Sequence, residues 1–195
     1  MVQTEKAKNI ALGMTAICII LSAVTYVDPT ILQQLGICKG CSVMARISYP
    51  FLHASITHAI INCWCLISIV FTYDITTSTL FTAYLIAITY PINTIARISS
   101  SLDVIHIPYT SHFITPTVGL SAVCFALLAI VSFQVRDKRY FHTFVLSFIA
   151  IGFVISHVSS VCGYTIAAPN NTLHLYCYIA GLIIGFLNSP APWQR

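Results

Sequence analysis

Apolar runs of about twenty residues recur along the whole chain, and that feature leaves one setting in which it can fold. Six runs can be read, over 10–27, 49–73, 79–97, 116–134, 141–162 and 173–189, each close to the ~20 residues that cross a bilayer as helix. Of the 195 residues 7% are charged, where a soluble domain carries about 25%. The expected fold is an all-α integral membrane bundle of six transmembrane helices, with residues 1–195 as a single membrane domain and the lipid bilayer as its surroundings. The first run follows Lys6 and Lys8, as a secretory signal would. It is longer than a signal's apolar region and ends in Tyr26-Val-Asp28-Pro29 without a small-residue cleavage pattern, so it reads as a span.

Charge sets the expected topology. Lys6, Lys8, Arg136, Lys138, Arg139 and Arg195 fall on one side of these spans, and Lys39, Arg46 and Arg97 on the other. The richer side is the inner one, which puts both termini in the cytoplasm and the chain in a plasma (bacterial inner) membrane. The net charge of +4 forms no basic run and no aromatic-interleaved patch, so nucleic acid is not expected as a partner. No span holds an acidic or basic residue in its middle and no internal repeat is visible, which speaks against a transporter.

Most of the eight cysteines lie in apolar runs and read as small hydrophobes; Cys38 and Cys41 form a lone C-x-x-C, a loop disulfide or two free thiols rather than a metal site. His106 and His112 fall in a Ser-rich outer loop with nothing near them to complete a metal site. No metal and no cofactor is expected. Asn170-Asn171-Thr172 is a glycosylation sequon, meaningful in a eukaryotic host. Pro91 should kink the third span, with neighbouring side chains taking up the freed carbonyl.

The polar groups inside the spans carry the functional information. The second span contains His53, His58 and Asn62, costly in lipid unless partnered. His58 and Asn62 are four apart and share a helix face; they are either glue between helices or donors to a developing oxyanion. His53 lies well around the helix and should pin the first outer loop. In the sixth span His174, Tyr178, Gly181 and Gly185 fall on one stripe, and Gly181-x-x-x-Gly185 permits close helix approach. The fourth span offers Ala122, Ala126 and Ala129 as a matching small face, so helices four and six should touch near Ser121. Taken alone, Ser121 after Gly119 reads as a packing residue, and Phe125 as ordinary core rather than a support beneath a base. The H-E-x-x-H of zincins is absent, and Tyr73-Asp74 lacks the G-x-G-D half of an aspartyl pair.

Together these residues resemble the rhomboid family of intramembrane serine proteases. His53-x-x-x-x-His58-x-x-x-Asn62 is similar to the family's second-helix pattern, and Gly119-Leu-Ser121-Ala to its fourth-helix G-x-S-G with alanine for the last glycine. Tyr178-Ile-Ala-Gly181-Leu-Ile-Ile-Gly185 resembles the sixth-helix H-x-x-G-x-x-x-G with tyrosine at the histidine. The resemblance implies a serine endopeptidase that cuts transmembrane segments of other membrane proteins near their outer end. In that family Ser121 would be the nucleophile, with His58 and Asn62 at the oxyanion. Tyr178 is a poor general base, because an unperturbed tyrosine titrates near 10 against about 6.5 for histidine. His174 is the substitute, one turn earlier. It reaches Ser121 if the sixth helix sits a turn deeper, or through a relay by water or Tyr178. The alternative is a pseudoprotease that binds membrane-protein clients without cutting them.

Overall fold

The computed structural model describes residues 2–103, 116–161 and 170–189. His106, His112 and Cys162 lie outside them, as does Arg195. Among the described residues the fold is all-helical: α1 (Val2–Val27), α2 (Thr30–Leu35), α3 (Val43–Ser48), α4 (Ile56–Thr72), α5 (Thr77–Ile88), α6 (Ile92–Asp103), α7 (Ser121–Val131), α8 (Lys138–Val161) and α9 (Asn171–Asn188). Single 3₁₀ turns, Tyr49–Phe51 and Ser132–Gln134, follow α3 and α7. By length and composition α1 and α8 can cross a membrane, and the bent pairs around α4 and around α5–α6 raise that number to four if each is one span.

The run 49–73 is not one helix, as its composition suggested. The chain turns by 83° between the segment 43–51 and α4. Ser55 starts α4 by accepting from the His58 amide at 3.2 Å, so His53 sits in the bend and only His58 and Asn62 are on the helix. The run 116–134 is shorter as a helix too. Its first five residues are not helical, and Ser121 is the first residue of α7 rather than a turn or two inside it.

Pro91 breaks the third run, bending α5 from α6 by 42°. Lacking an N–H, it cannot bond the Ala87 carbonyl four residues back, a loss worth several kcal/mol in lipid if left unpaired. Tyr49, fully buried, donates its hydroxyl to that carbonyl at 2.9 Å, and Arg46 Nη1 donates to the Tyr90 carbonyl at 2.8 Å. The segment 43–51 thus doubles as the cap of a broken helix.

The core forms where α7 runs through the bundle. Ala122 to Leu127, Ala129 and Val131 are all buried, the pattern of a helix enclosed by others on every side. Its closest neighbour is α9. A Cβ added to Gly181 would lie 2.5 Å from the Ala126 carbonyl and 2.7 Å from Ala129 Cβ, and one on Gly185 would strike the Phe133 ring at 2.6 Å. The contact expected between the small faces of these helices is present, and it needs the missing side chains. Cys38 and Cys41 are free thiols on a tight turn, the Cys41 amide donating to the Cys38 carbonyl at 3.1 Å. The sequon residue Asn170 is buried and donates to Thr117 Oγ1 at 3.1 Å, so its amide faces the interior rather than a glycan.

Candidate active site

A short non-helical segment, residues 116–120, delivers Ser121 to its place, and it is tied down along its length. Ile37 and Thr117 exchange both backbone hydrogen bonds at 2.9 Å. The Gly119 amide donates to the Tyr49 carbonyl at 3.0 Å, and the Leu120 amide to His53 Nε2 at 3.3 Å. Asn170 joins the segment to α9: its Oδ1 caps the helix by accepting from the Leu173 amide at 3.1 Å, while its Nδ2 holds Thr117. Gly119 has φ +127°, a conformation that glycine alone adopts without strain. A Cβ there would sit 2.9 Å from His58 Cε1, 3.0 Å from His58 Nε2 and 3.0 Å from Asn62 Nδ2. The two side chains of α4 therefore converge on the backbone just before Ser121.

Ser121 Oγ lies 2.8 Å from His174 Nε2. A bare Nε2 accepts the hydroxyl proton of Ser121, which leaves the ring proton on Nδ1; that atom is buried without a partner among the described residues. Among the described residues no carboxylate orients the ring. Phe125, one turn beyond Ser121, does so instead, stacked on the imidazole at 4.4 Å between centroids and 24° between planes. An aromatic face also favours an imidazolium over it, by about 0.5–2 kcal/mol. Phe125 is thus part of the site, where the sequence suggested plain core.

Around the serine the donors are arranged for negative charge. As the first residue of α7, Ser121 presents a backbone N–H with no carbonyl four residues back inside the helix, at the end where the helix dipole favours an anion. Asn62 Nδ2 is buried and also lacks a partner among the described residues. A buried amide left unpaired costs about 1–3 kcal/mol, a penalty that a bound oxyanion would remove.

A model of the Rhomboid domain matches residues 41–191. The chain belongs to the rhomboid family. No individual curated protein matches it. Rhomboids are integral membrane proteins that act on transmembrane protein substrates within the bilayer, and they are generally intramembrane serine proteases. This rhomboid is by family an intramembrane protease or a pseudoprotease. The matched segment begins after α1 and α2.

Of the residues singled out in the sequence, Ser121, His174, His58, Asn62 and Gly119 come together, while Gly181 and Gly185 seat α9 against α7 below them. Tyr178, the suggested base replacement or relay, has its hydroxyl on a different neighbour. Its hydroxyl lies 2.6 Å from His142 Nδ1 of α8, a residue the sequence reading passed over because a lone histidine near a helix start gives no signal. Nor is His174 out of register. Counted from the histidine that meets Ser121, the rhomboid pattern H-x-x-G-x-x-x-G falls on His174-Leu-Tyr-Cys177-Tyr-Ile-Ala-Gly181, with cysteine at the first glycine. The glycines at 181 and 185 had suggested a register one turn later. His53, expected to pin the first outer loop, holds the segment that carries Ser121.

Proposed function

We propose that this rhomboid is an active intramembrane serine endopeptidase, with Ser121 as nucleophile and His174 as a direct general base. The observation that carries this reading is the 2.8 Å contact between Ser121 Oγ and His174 Nε2, inside the 2.6–3.2 Å range that proton transfer requires. His174 takes the Ser121 proton as Oγ adds to the scissile carbonyl of a transmembrane segment. The carbonyl oxygen gains the electron pair and lies among the Ser121 amide, Asn62 Nδ2 and His58. Collapse of this intermediate breaks the C–N bond, and His174 returns its proton to the leaving amine. Water, deprotonated by the same imidazole, then hydrolyses the acyl-enzyme and regenerates Ser121. No step calls on a metal or an organic cofactor.

The proposal includes a six-span bundle with both termini cytoplasmic in a plasma or bacterial inner membrane. That topology places Ser121, at the start of the fourth span, toward the outer face, and cutting would fall near the outer end of the substrate segment. The partners are transmembrane proteins and lipid, with no nucleic acid. The test is cleavage in proteoliposomes of a single-span substrate whose outer half carries helix-breaking residues. The expected outcome is cleavage by the wild type and none by Ser121→Ala. Binding of that substrate without cleavage by either protein would establish the pseudoprotease instead.

A further inference from the structure

Three polar side chains in and beside α1 are buried with no part in the chemistry just described: Ser22, Thr25 and His53. A hydroxyl or an imidazole is costly in such a place unless paired, and here the pairing leads to the nucleophile. Ser22 Oγ donates its one proton to the Cys18 carbonyl at 2.6 Å and lies 3.4 Å from His53 Nδ1. With its proton committed, Ser22 can only accept from the ring, so Nδ1 carries the hydrogen and Nε2 is bare. Nε2 is the atom that takes the Leu120 amide at 3.3 Å. In the other tautomer an N–H would face the Leu120 N–H and a lone pair would face the Ser22 oxygen. The Thr25 hydroxyl shares its one proton between the Ser22 carbonyl at 3.1 Å and the His53 carbonyl at 3.3 Å, and so ties the main chain of the same histidine to α1.

We propose that Ser22 is a positioning residue for the acyl-transfer site: by accepting the Nδ1 proton of His53 it leaves Nε2 free to hold the peptide before Ser121. The inference rests on the protease reading and deepens it. It gives α1, which precedes the matched Rhomboid domain, a share in the site. The His53 ring also stands edge-on to His58 at 5.1 Å, so its orientation bears on one of the oxyanion groups as well as on the serine segment.

The test uses the full chain in lipid nanodiscs with ¹⁵N-labelled histidine. His53 resonances are assigned by their loss in His53→Asn, and Ser121 is titrated with an alkyl fluorophosphonate. The expected wild-type spectrum has a protonated Nδ1 and a bare Nε2 on His53. In Ser22→Ala that signature moves toward the other tautomer. The maximal labelling rate falls roughly 2- to 10-fold, the value of one hydrogen bond, while the half-saturating probe concentration stays within about twofold. Ser22→Thr restores both. A wild-type His53 protonated on Nε2, or a Ser22→Ala protein with unchanged tautomer and rate, overturns the inference. The spectrum needs no reaction at Ser121, so a wild type that keeps this signature yet takes up no probe refutes the protease reading separately.

Discussion

Helices α7 and α8 follow one another in the chain and are held in opposite ways. Every turn of α7 is buried, and at Gly181 its contact with α9 is set by glycine against the Ala126 backbone. Helix α8 meets the bundle along one stripe, with Val145, Ile149 and Gly152 buried and His142 reaching Tyr178, and turns Tyr140, Phe144, Phe148, Ile151 and Val154 outward. A backbone-on-backbone contact has two discrete states, seated or not, because no rotamer can absorb a misfit. A contact through long side chains can shift by a rotamer. The difference explains why the Ser121–His174 pair lies across the α7–α9 seam and why Tyr178, one turn below His174, is free to serve α8.

The comparison can be broken from either side. The largest effect is expected from Gly181→Val, which drives a side chain into the Ala126 carbonyl. Unfolding should be easier by about 1–3 kcal/mol, and probe labelling of Ser121 should be lost as α9 is pushed away; thermal melts and labelling measure the two. Gly119→Ala comes next. It is strained at φ +127° and crowds His58 and Asn62, so the labelling rate should fall roughly 10²-fold or more with little change in overall helix content by circular dichroism. Phe125→Leu stays apolar and loses the aromatic face under His174. Rate should drop roughly 2- to 10-fold, as expected for a stacking contact of about 0.5–1.5 kcal/mol. The smallest effect belongs to Tyr178→Phe. Losing the bond to His142 costs about 1 kcal/mol and should speed hydrogen exchange in α8, while Ser121 labels within about threefold of the wild type. If Tyr178→Phe slowed labelling more than Phe125→Leu, the two seams would not be separable as described.

Much of this was legible in the sequence. Small residues on facing stripes announced the α7–α9 contact, because Ala126, Ala129 and Gly181 leave few other ways to pack in lipid. Pro91 announced its own break, and even the need for a donor to the Ala87 carbonyl. What misled was spacing. A helix repeats a small-residue stripe each turn, and Gly181-x-x-x-Gly185 fits a G-x-x-x-G pattern better than Cys177-x-x-x-Gly181 does, so the sequence favoured the later register and only the partner helix brings out the earlier one. Hydropathy hid the bend at residues 52–55, since Phe51 and Leu52 read as membrane helix; Pro50 and the Ser55 cap were the signals for it. The pairing of Ile37 with Thr117 left no trace, because backbone bonds between two irregular segments place no demand on side chains.

The proposed chemistry requires His174, and not Tyr178, as the base for Ser121. An active-site-directed fluorophosphonate tests that most directly, applied to the wild type, Ser121→Ala, His174→Ala and Tyr178→Phe in the same detergent. Labelling should occur in the wild type and Tyr178→Phe, vanish in Ser121→Ala, and fall roughly 10²- to 10⁴-fold in His174→Ala. Strong labelling of His174→Ala, or none of the wild type under conditions that label an active rhomboid, would contradict it.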